Sequence, residues 1–290
     1  MTLFSYKVFI TTVEQMNFRK AAELLNLTPS AVSHCIGNME DELGFPLFIR
    51  NKNRISLTSN AELLLPYIRH LLAGEDSLNQ AIGELKGFQR GLVRLGCFNS
   101  VCTSWIPQLV RDFHEQYPGI DIELFQGTYD DITGWLEKGD IDIGFLSVSS
   151  AGKIPIEPLY NDRLMVVVPK GFVTSNPDYI TIQELADCNF VQPMENCDAD
   201  SQKLFDEYGL SAKSQCHVVD DLSILTMVSA GFGVCILPKM LIDSFDVDVD
   251  VYPVEPEYYR VIGIACSDPS RSVPAVQKLY NVIIDKFKQI

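Results

Sequence analysis

Apolar positions spaced three and four residues apart recur through the first ninety residues and predict helices. Phe9, Ile10 and Val13 fall on one helical face, which predicts a first helix over residues 2–15. Asn17 is suited to cap a second helix, FRKAAELL, whose small alanine side chains allow close packing. The chain therefore opens with two short helices joined by a tight turn.

The stretch LTPSAVSHCIGNME predicts a third helix with two different faces. Thr28 is a good N-cap, Pro29 fits the first helical position, and Gly44 ends the helix. The apolar stripe consists of Val32, Ile36, Met39 and Leu43. The opposite face carries Ser30, Ser33, His34 and Asn38. Short polar groups in the N-terminal half of a helix are typical of a helix that reads DNA.

The segment PLFIRNKNRISLT follows the third helix and predicts a two-stranded hairpin. Arg50, Lys52 and Arg54 alternate along it and give it a basic tip. Three helices followed by a basic hairpin are the layout of a winged helix-turn-helix. The pattern fits DNA binding, and it also fits a three-helix unit used only for packing.

A heptad pattern follows Thr58, which is itself an N-cap candidate. Its apolar positions are Leu64, Ile68, Leu71, Leu78, Ile82 and Leu85, and Glu75 takes the remaining position. Such a seam predicts a coiled coil that pairs two chains. The alternative is a long amphipathic helix lying on its own domain. A helix over residues 58–88 would be about 45 Å long, which favours the coiled coil.

From Gly91 onward, short apolar strands alternate with amphipathic helices, which predicts an α/β domain. Residues 91–161 form one βαβαβ unit and residues 162–265 a second, with the last helix, VPAVQKLYNVIIDKF, returning to the first. Two such lobes leave a cleft at the carboxyl ends of the strands. Helix N-termini face that cleft and favour an anionic ligand.

The net charge of −15 is unevenly distributed. Residues 1–90 carry nine Lys and Arg and nine Asp and Glu, so the whole excess of acid falls on residues 91–290. An acidic module repels phosphate, whereas the neutral N-terminal part can approach DNA. The imbalance indicates two parts with separate roles.

Several classes of protein find no support in the motifs. The eight cysteines lack paired spacing, which favours reduced thiols. There is no HExxH, CxxC pair, GxSxG, Walker loop or GxGxxG, so we expect no enzyme, no metal site and no cofactor. Neither a membrane-spanning apolar run nor a signal peptide is evident, and the expected location is the cytoplasm.

The run NFRKAAELLNLTPSAVSHCIGNMEDELGFPLFIR resembles the signature of LysR-type transcriptional regulators, and the likeness continues through Thr58. Met39 stands where the family usually has Leu, and Ala61 stands where Gly is common. In the second part, GLVRLGCFNS, WIPQLVRDFHEQYPGIDIEL, LEKGDIDIGF and MVSAGFGVCILP resemble family segments more weakly.

The resemblance implies an α+β multidomain fold. It places a winged helix-turn-helix at residues 1–58, a linker and dimerisation helix at 59–90, and an effector domain similar to a type 2 periplasmic binding protein at 91–290. The first lobe of that domain would hold residues 91–161 and 266–290, and the second lobe residues 162–265. The implied partners are promoter DNA, a small-molecule effector, a second copy in a homodimer or homotetramer, and RNA polymerase.

The resemblance also implies site residues. Ser30 and Ser33 would contact phosphates or bases, His34 and Asn38 would face base edges, and the basic tip would contact the DNA backbone or minor groove. The implied effector site is Asn99, Ser100, Val101, Thr128, Ser147, Gln192, Asn196, Cys197 and Phe232. Ser100, Thr128 and Ser147 would donate hydrogen bonds to an anion, although each could instead cap a helix or turn. No arginine matches these positions, so binding a dianion would depend on backbone N–H groups.

Three alternatives remain open. The two-lobed part could be an enzyme such as a dehydratase, with the N-terminal unit serving assembly, or the chain could be a solute-binding protein. Cys197 lies near the reactive thiol position of peroxide-sensing relatives, but Asp206 stands where their second cysteine would be. Acidic neighbours also oppose thiolate formation, so an inert cysteine is favoured over a redox sensor.

Overall fold

The structure is a computed structural model that describes residues 1–51, 54–85, 91–193, 199–209, 213–218, 220–266 and 272–289. The chain divides into two compact units. The first comprises Met1–Gln89 and Glu137–Asp140, and the second comprises Arg90–Leu136 and Ile141–Ile290. Within the described ranges, no helix is both long and apolar enough to cross a membrane.

The first unit is built from helices and one hairpin. Its elements are α1 Leu3–Gln15, α2 Phe18–Leu24, α3 Pro29–Leu43, β1 Phe48–Asn51, β2 Arg54–Leu57 and α4 Ser59–Leu85. The two strands pair antiparallel, with Phe48 opposite Leu57. This order confirms the predicted winged helix-turn-helix followed by a long helix.

Local capping explains where the short helices begin and end. The Asn17 side-chain oxygen accepts hydrogen bonds from the backbone N–H groups of Arg19 and Lys20 at 2.9 and 3.1 Å. The Thr28 hydroxyl accepts from the N–H of Ala31 at 3.2 Å, with a proline at the first position of α3. Gly44 ends α3 in the left-handed conformation, with φ of 79°, which favours glycine.

An aromatic cluster fills the centre of the first unit. The Phe48 ring lies 5.6 Å from the ring of Phe9 and 5.5 Å from that of Phe18, measured between centroids. The buried side chains around it are Val8, Ala22, Val32, Ile36, Met39, Leu47, Ala61, Leu65 and Ile68. The last three lie on α4, so the beginning of the long helix packs against its own unit.

The second unit contains the α/β elements. Its strands are β3 Gly91–Cys97, β4 Ile120–Gln126, β5 Ile143–Ser147, β6 Ile156–Pro169, β7 Ile180–Thr181, β8 Asn189–Pro193, β9 Lys213–Val218, β10 Cys235–Pro238, β11 Val249–Glu255 and β12 Tyr259–Ala265. Its helices are α5 Asn99–Ser104, α6 Ile106–Gln116, α7 Tyr129–Lys138, α8 Ile182–Leu185, α9 Ala199–Glu207, α10 Asp221–Ser229, α11 Lys239–Ile242 and α12 Pro274–Phe287.

Strand β6 is shared by two lobes. The main sheet has the order β4-β3-β5-β12-β6-β11-β7, and β10 also pairs with β6. The first part of β6 pairs with β12, whereas Leu164 and the residues after it pair with β10 and β11. One continuous strand therefore crosses from the first lobe to the second.

The predicted lobe boundary requires a correction at β12. Residues 162–265 were assigned to the second lobe, but β12 pairs with β5 of the first lobe, and Ile262 and Ile264 are buried in the first lobe's core. The chain thus returns to the first lobe before β12 begins. Helix α12 then packs on the same core through Leu279 and Ile283.

The topology gathers loop ends at one edge of the first lobe. Strands β4 and β5 both pair parallel to β3, so the carboxyl ends of all three point the same way. Helices α5 and α7 and a short turn at Val148–Ser150 begin directly beyond those ends. Polar side chains in these loops are therefore brought together.

Replacement of Phe48 by alanine should destabilise the first unit by about 3–5 kcal/mol, because it removes a buried ring that contacts two others. Hydrogen exchange followed by mass spectrometry should detect amides of α1 and α3 exchanging at least about a hundredfold faster. Ile49→Ala is the matched control, because Ile49 lies next to Phe48 on the same strand with an exposed side chain. Equal acceleration in both variants would contradict the assigned packing.

Candidate functional site

The polar face of α3 is open to solvent at its predicted contact positions. Ser30, His34 and Asn38 are exposed, and Ser33 is half-buried. The Asn38 amide donates a hydrogen bond to Nδ1 of His34 at 3.2 Å. In the neutral imidazole this leaves the proton on Nε2, which can serve as a donor. The face therefore presents hydroxyl, amide and imidazole groups, the groups that contact phosphates and base edges.

The predicted basic tip lies in the hairpin beyond α3. Arg50 lies on β1 and Arg54 begins β2, where it is the register partner of Asn51. Lys52 lies outside the described residues, as do the side chains of both arginines. Arg50 and Arg54 thus lie where β1 ends and β2 begins.

The predicted dimerisation seam divides into two parts along α4. Leu64 and Ile68 pack into the core of their own unit. Leu71, Leu78 and Ile82 are exposed, with 51%, 61% and 39% of their surface accessible. The side chain of Leu85 lies outside the described part of the chain.

A cavity of about 420 Å³ opens at the junction of the two lobes in the second unit. The loops after β3 and β4 supply Asn99, Ser100 and Thr128 to its wall. The second lobe supplies the aspartates at the start of α10, and β12 supplies Arg260. The structure thus brings together three of the predicted effector residues and adds charged groups that the prediction did not include.

Arg260 and Asp162 form a buried ion pair next to this cavity. They are register partners on β12 and β6, and only 7% and 1% of their surfaces are accessible. One carboxylate oxygen of Asp162 accepts from Nε and Nη2 of Arg260 at 2.9 and 2.7 Å. Its other oxygen accepts from the backbone N–H of Met240 on α11 at 3.0 Å. The pair therefore ties β12, β6 and α11 together where the lobes meet.

The guanidinium also reaches the groups that line the cavity. Its Nη2 donates to the Ser100 hydroxyl at 2.6 Å, and its Nη1 donates to the Tyr129 hydroxyl at 3.2 Å. Burial alone would lower the pKa of Arg260, but Tyr129 and Asp162 outweigh it and raise that pKa above its ordinary value. Because Ser100 accepts from Arg260, its own proton can be donated toward the cavity. No arginine falls at the positions that the resemblance mapped, and the structure adds Arg260 to the cavity wall from outside that set.

Thr128 and Ser147 direct their hydroxyl protons to carboxylates of the chain itself. The Thr128 hydroxyl donates to Asp131 at 2.7 Å, and this hydrogen bond is the main cause that lowers the pKa of Asp131. The Ser147 hydroxyl donates to Asp200 at 2.9 Å. The backbone N–H of Asp131 bonds back to Thr128, so Thr128 caps α7 as the alternative interpretation held. Of the three predicted hydroxyl donors, Ser100 is the one that Arg260 orients.

Acidic groups from the second lobe also line the cavity. The carboxylate of Asp220 caps α10, and hydrogen bonds from Ser223 lower its pKa. Asp221 accepts a hydrogen bond from the Asn99 amide, so this residue links the lobes. The lining therefore holds ionised carboxylates as well as Arg260.

The remaining predicted effector residues lie elsewhere. Val101 is fully buried in the first lobe's core, because α5 turns that side chain inward. Gln192 is half-buried on β8 away from the cavity wall, and Phe232 is 60% exposed. Asn196 and Cys197 lie outside the described residues. In the ranges that the structure covers, no group of three or more His, Cys, Asp or Glu is placed to hold a metal ion.

Arg260 was missed although the sequence contains a signal for it. It interrupts the apolar strand YRVIGIA, where a charged side chain requires a partner if the strand is buried. That partner, Asp162, lies 98 positions earlier in the chain, and no local spacing indicates the pairing.

Two family models cover most of the chain. The model described as "Bacterial regulatory helix-turn-helix protein, lysR family" matches residues 3–62. The model described as "LysR substrate binding domain" matches residues 86–288. The HTH-type transcriptional regulator YvbU of Bacillus subtilis, itself uncharacterized, is 29% identical over 272 residues, which are 91% of each chain.

Solved structures share the fold at lower identity. A full-length variant of OxyR from Pseudomonas aeruginosa has a TM-score of 0.80 at 21% identity, covering 98% of this chain and 94% of its own. CbnR complexed with its target DNA has a TM-score of 0.67 at 19% identity, covering 98% and 99%. The effector binding domain of QuiR in complex with shikimate has a TM-score of 0.60 at 24% identity, covering 68% and 96%. These likenesses confirm the predicted fold class.

Arg260→Met should lower the free energy of unfolding of the second unit by about 3–5 kcal/mol, because it leaves Asp162 buried without its cation. Arg163→Met is the matched control, since Arg163 pairs with a half-exposed Glu257 and its loss should cost about 1 kcal/mol or less. Urea unfolding monitored by tryptophan fluorescence measures both, because both tryptophans lie in this unit. The double variant Asp162→Asn with Arg260→Met should recover part of the loss. Equal losses for the two single variants would contradict the assignment.

Proposed function

Because this chain belongs to the LysR family of bacterial transcriptional regulators, we propose that it binds promoter DNA as a dimer or tetramer and responds to a small anionic effector. The first unit would read the DNA, and the cavity between the lobes would bind the effector. Regulation would depend on binding alone, without a catalysed reaction, and would take place in the cytoplasm, where a bacterial promoter lies.

The exposed polar face of α3 carries the DNA-binding part of the proposal. Val32, Ile36 and Met39 are buried, so the helix packs through one side and leaves Ser30 and His34 on the other. A helix held in this way can lie in the major groove with its N-terminal half against the bases. Arg50, Lys52 and Arg54 of the hairpin would contact phosphates or the adjacent minor groove. The DNA complex of CbnR, a protein of the same fold, supports this assignment.

Self-association would use the distal half of α4. Leu71, Leu78 and Ile82 fall at heptad spacing and are exposed, whereas Leu64 and Ile68 already pack within the unit. Burial of exposed leucine and isoleucine against a second copy is favourable by roughly 1.5–3 kcal/mol per side chain. A two-fold pair of reading helices suits a pseudo-palindromic site, and a pair of such dimers would form the tetramer.

The effector would bind in the cavity through Ser100 and Arg260. A volume of about 420 Å³ lies within the usual range for a small metabolite. Ser100 can donate a hydrogen bond and Arg260 supplies a fixed positive charge, which together favour an acidic group. QuiR, whose effector domain is solved with shikimate, supports a small-molecule ligand in this fold.

Effector binding would be transmitted through the lobe junction. The cavity contains groups from both lobes, including the Asn99 and Asp221 pair, so a ligand there interacts differently with different lobe arrangements. A ligand with such differential affinity shifts the population of arrangements. Altered spacing of the reading helices would then change the contact with promoter DNA and with RNA polymerase.

Ser30→Glu should weaken binding to a genomic fragment that the wild-type chain selects by at least about tenfold, because a carboxylate in the first turn of α3 would face phosphate. The same carboxylate is favourable at a helix N-terminus, so the chain should stay folded. Gln183→Glu adds an equal charge in the first turn of α8 and should leave binding unchanged. Fluorescence anisotropy measures the affinities. Equal effects of the two variants would count against α3 as the reading helix.

Leu78→Asp should shift the chain toward smaller assemblies in sedimentation velocity, because it places a charge in the exposed apolar seam of α4. Asn79→Asp adds the same charge at the adjacent exposed position and should leave the sedimentation coefficient unchanged. An unaltered assembly of Leu78→Asp would show that the seam does not hold the copies together.

A further inference from the structure

Three hydroxyl groups of the first lobe converge on a carboxylate of the second lobe. Ser147 and Ser149 each donate to one oxygen of Asp200 at 2.9 Å, and Tyr129 donates to its other oxygen at 3.0 Å. Ser147 ends β5, and Tyr129 begins α7. Asp200 lies in the first turn of α9. Both oxygens of this carboxylate are therefore held by the other lobe.

The contact is buried. Only 3% of the surface of Asp200 is accessible, and Ser147 is fully buried. A carboxylate removed from water requires hydrogen-bond donors to replace its hydration. The hydroxyls provide these, and Tyr129 in turn accepts from Arg260, so the positive charge of the guanidinium acts on Asp200 through the phenol.

We propose that Asp200 is the chain's own occupant of an anion site formed by Ser147, Ser149 and Tyr129, and that it restricts the effector to molecules with one acidic group. Neutral donors converging on both oxygens of a carboxylate are the arrangement by which a protein binds a free acid. Here the acid is attached to the protein. An attached group competes with a free acid for the same site at an effective concentration in the millimolar range or above.

The restriction on the effector rests on the function proposed above. Tyr129 is the member of the hydroxyl site that also lines the cavity. With that site filled by Asp200, the effector's acidic group is left with Ser100 and Arg260. Asp131, Asp220 and Asp221 line the same cavity, and a second acidic group there would meet carboxylates. A dicarboxylate is therefore disfavoured by charge as well as by the occupied site.

Formate is the probe for the vacated site, because Asp200→Ala removes one carboxylate and formate supplies one. In the full-length chain without DNA, Asp200→Ala should lower the Tm by about 5 °C or more. Formate should restore the Tm in a saturable manner, whereas chloride at equal ionic strength, the control salt, should not. Wild type and Asp206→Ala should not respond, since Asp206 lies at the exposed end of the same helix. Adding Ser149→Ala to Asp200→Ala should raise the formate concentration needed severalfold.

An equal response to formate in all variants, or none in Asp200→Ala, would overturn the proposal. If Asp200→Ala does not fold, the Tm of Asp200→Asn is compared with that of Asp206→Asn. Both substitutions keep the side-chain volume and remove one charge. The proposal requires a clearly lower Tm for Asp200→Asn alone, since its amide places N–H groups against hydroxyl donors. A Tm within about 1 °C of Asp206→Asn would mean that the charge is not needed.

Acetate and malonate test the restriction on the ligand. Isothermal titration of the wild-type chain should find that malonate binds no more tightly than acetate. In Asp200→Ala, the affinity for malonate relative to that for acetate should rise about tenfold. Asp200→Asn replaces the alanine variant in this test if the alanine variant is unfolded. An unchanged ratio would overturn the restriction. Because no DNA is present, either result is independent of whether the chain binds a promoter.

Discussion

The buried ion pair between Asp162 and Arg260 is the interaction on which the second unit depends. It joins the strand that crosses between the lobes to β12, and it also bonds to the start of α11. Burial of two charges is costly and is offset only when their hydrogen bonds are satisfied. Here the same guanidinium extends to Ser100 and Tyr129, so the group that holds the lobe junction also supplies a positive charge to the cavity. In the proposed function, ligand binding and lobe geometry would therefore be coupled at this one side chain.

Helical periodicity and capping residues were sufficient to predict the first unit, because its contacts are mostly local. Asn17, Thr28 and Gly44 act within a few residues of their position in the chain. In the second unit, β12 was placed in the wrong lobe. Strand pairing between distant segments decides lobe membership, and a strand's own residues do not encode its partner.

Only those residues of the candidate site that lie in the loops directly after β3 and β4 were predicted from the sequence. Asn99, Ser100 and Thr128 follow the ends of β3 and β4 and line the cavity as the resemblance implied. The roles of Asp131 and Asp200 could not be predicted in the same way, because they depend on which hydroxyl each carboxylate meets. Ser100 and Arg260 are 160 positions apart, so their contact exists only in the folded chain. The result is a cavity whose donors are partly engaged by the chain itself.

Selection of genomic fragments by the purified full-length chain tests the central claim, that this is an effector-responsive reader of promoter DNA. The expected result is enrichment of a pseudo-palindromic sequence whose half-sites lie about one or more helical turns apart, as a two-fold pair of α3 helices requires. The enriched sites should also lie in promoters. Recovery of fragments without any shared sequence would contradict it.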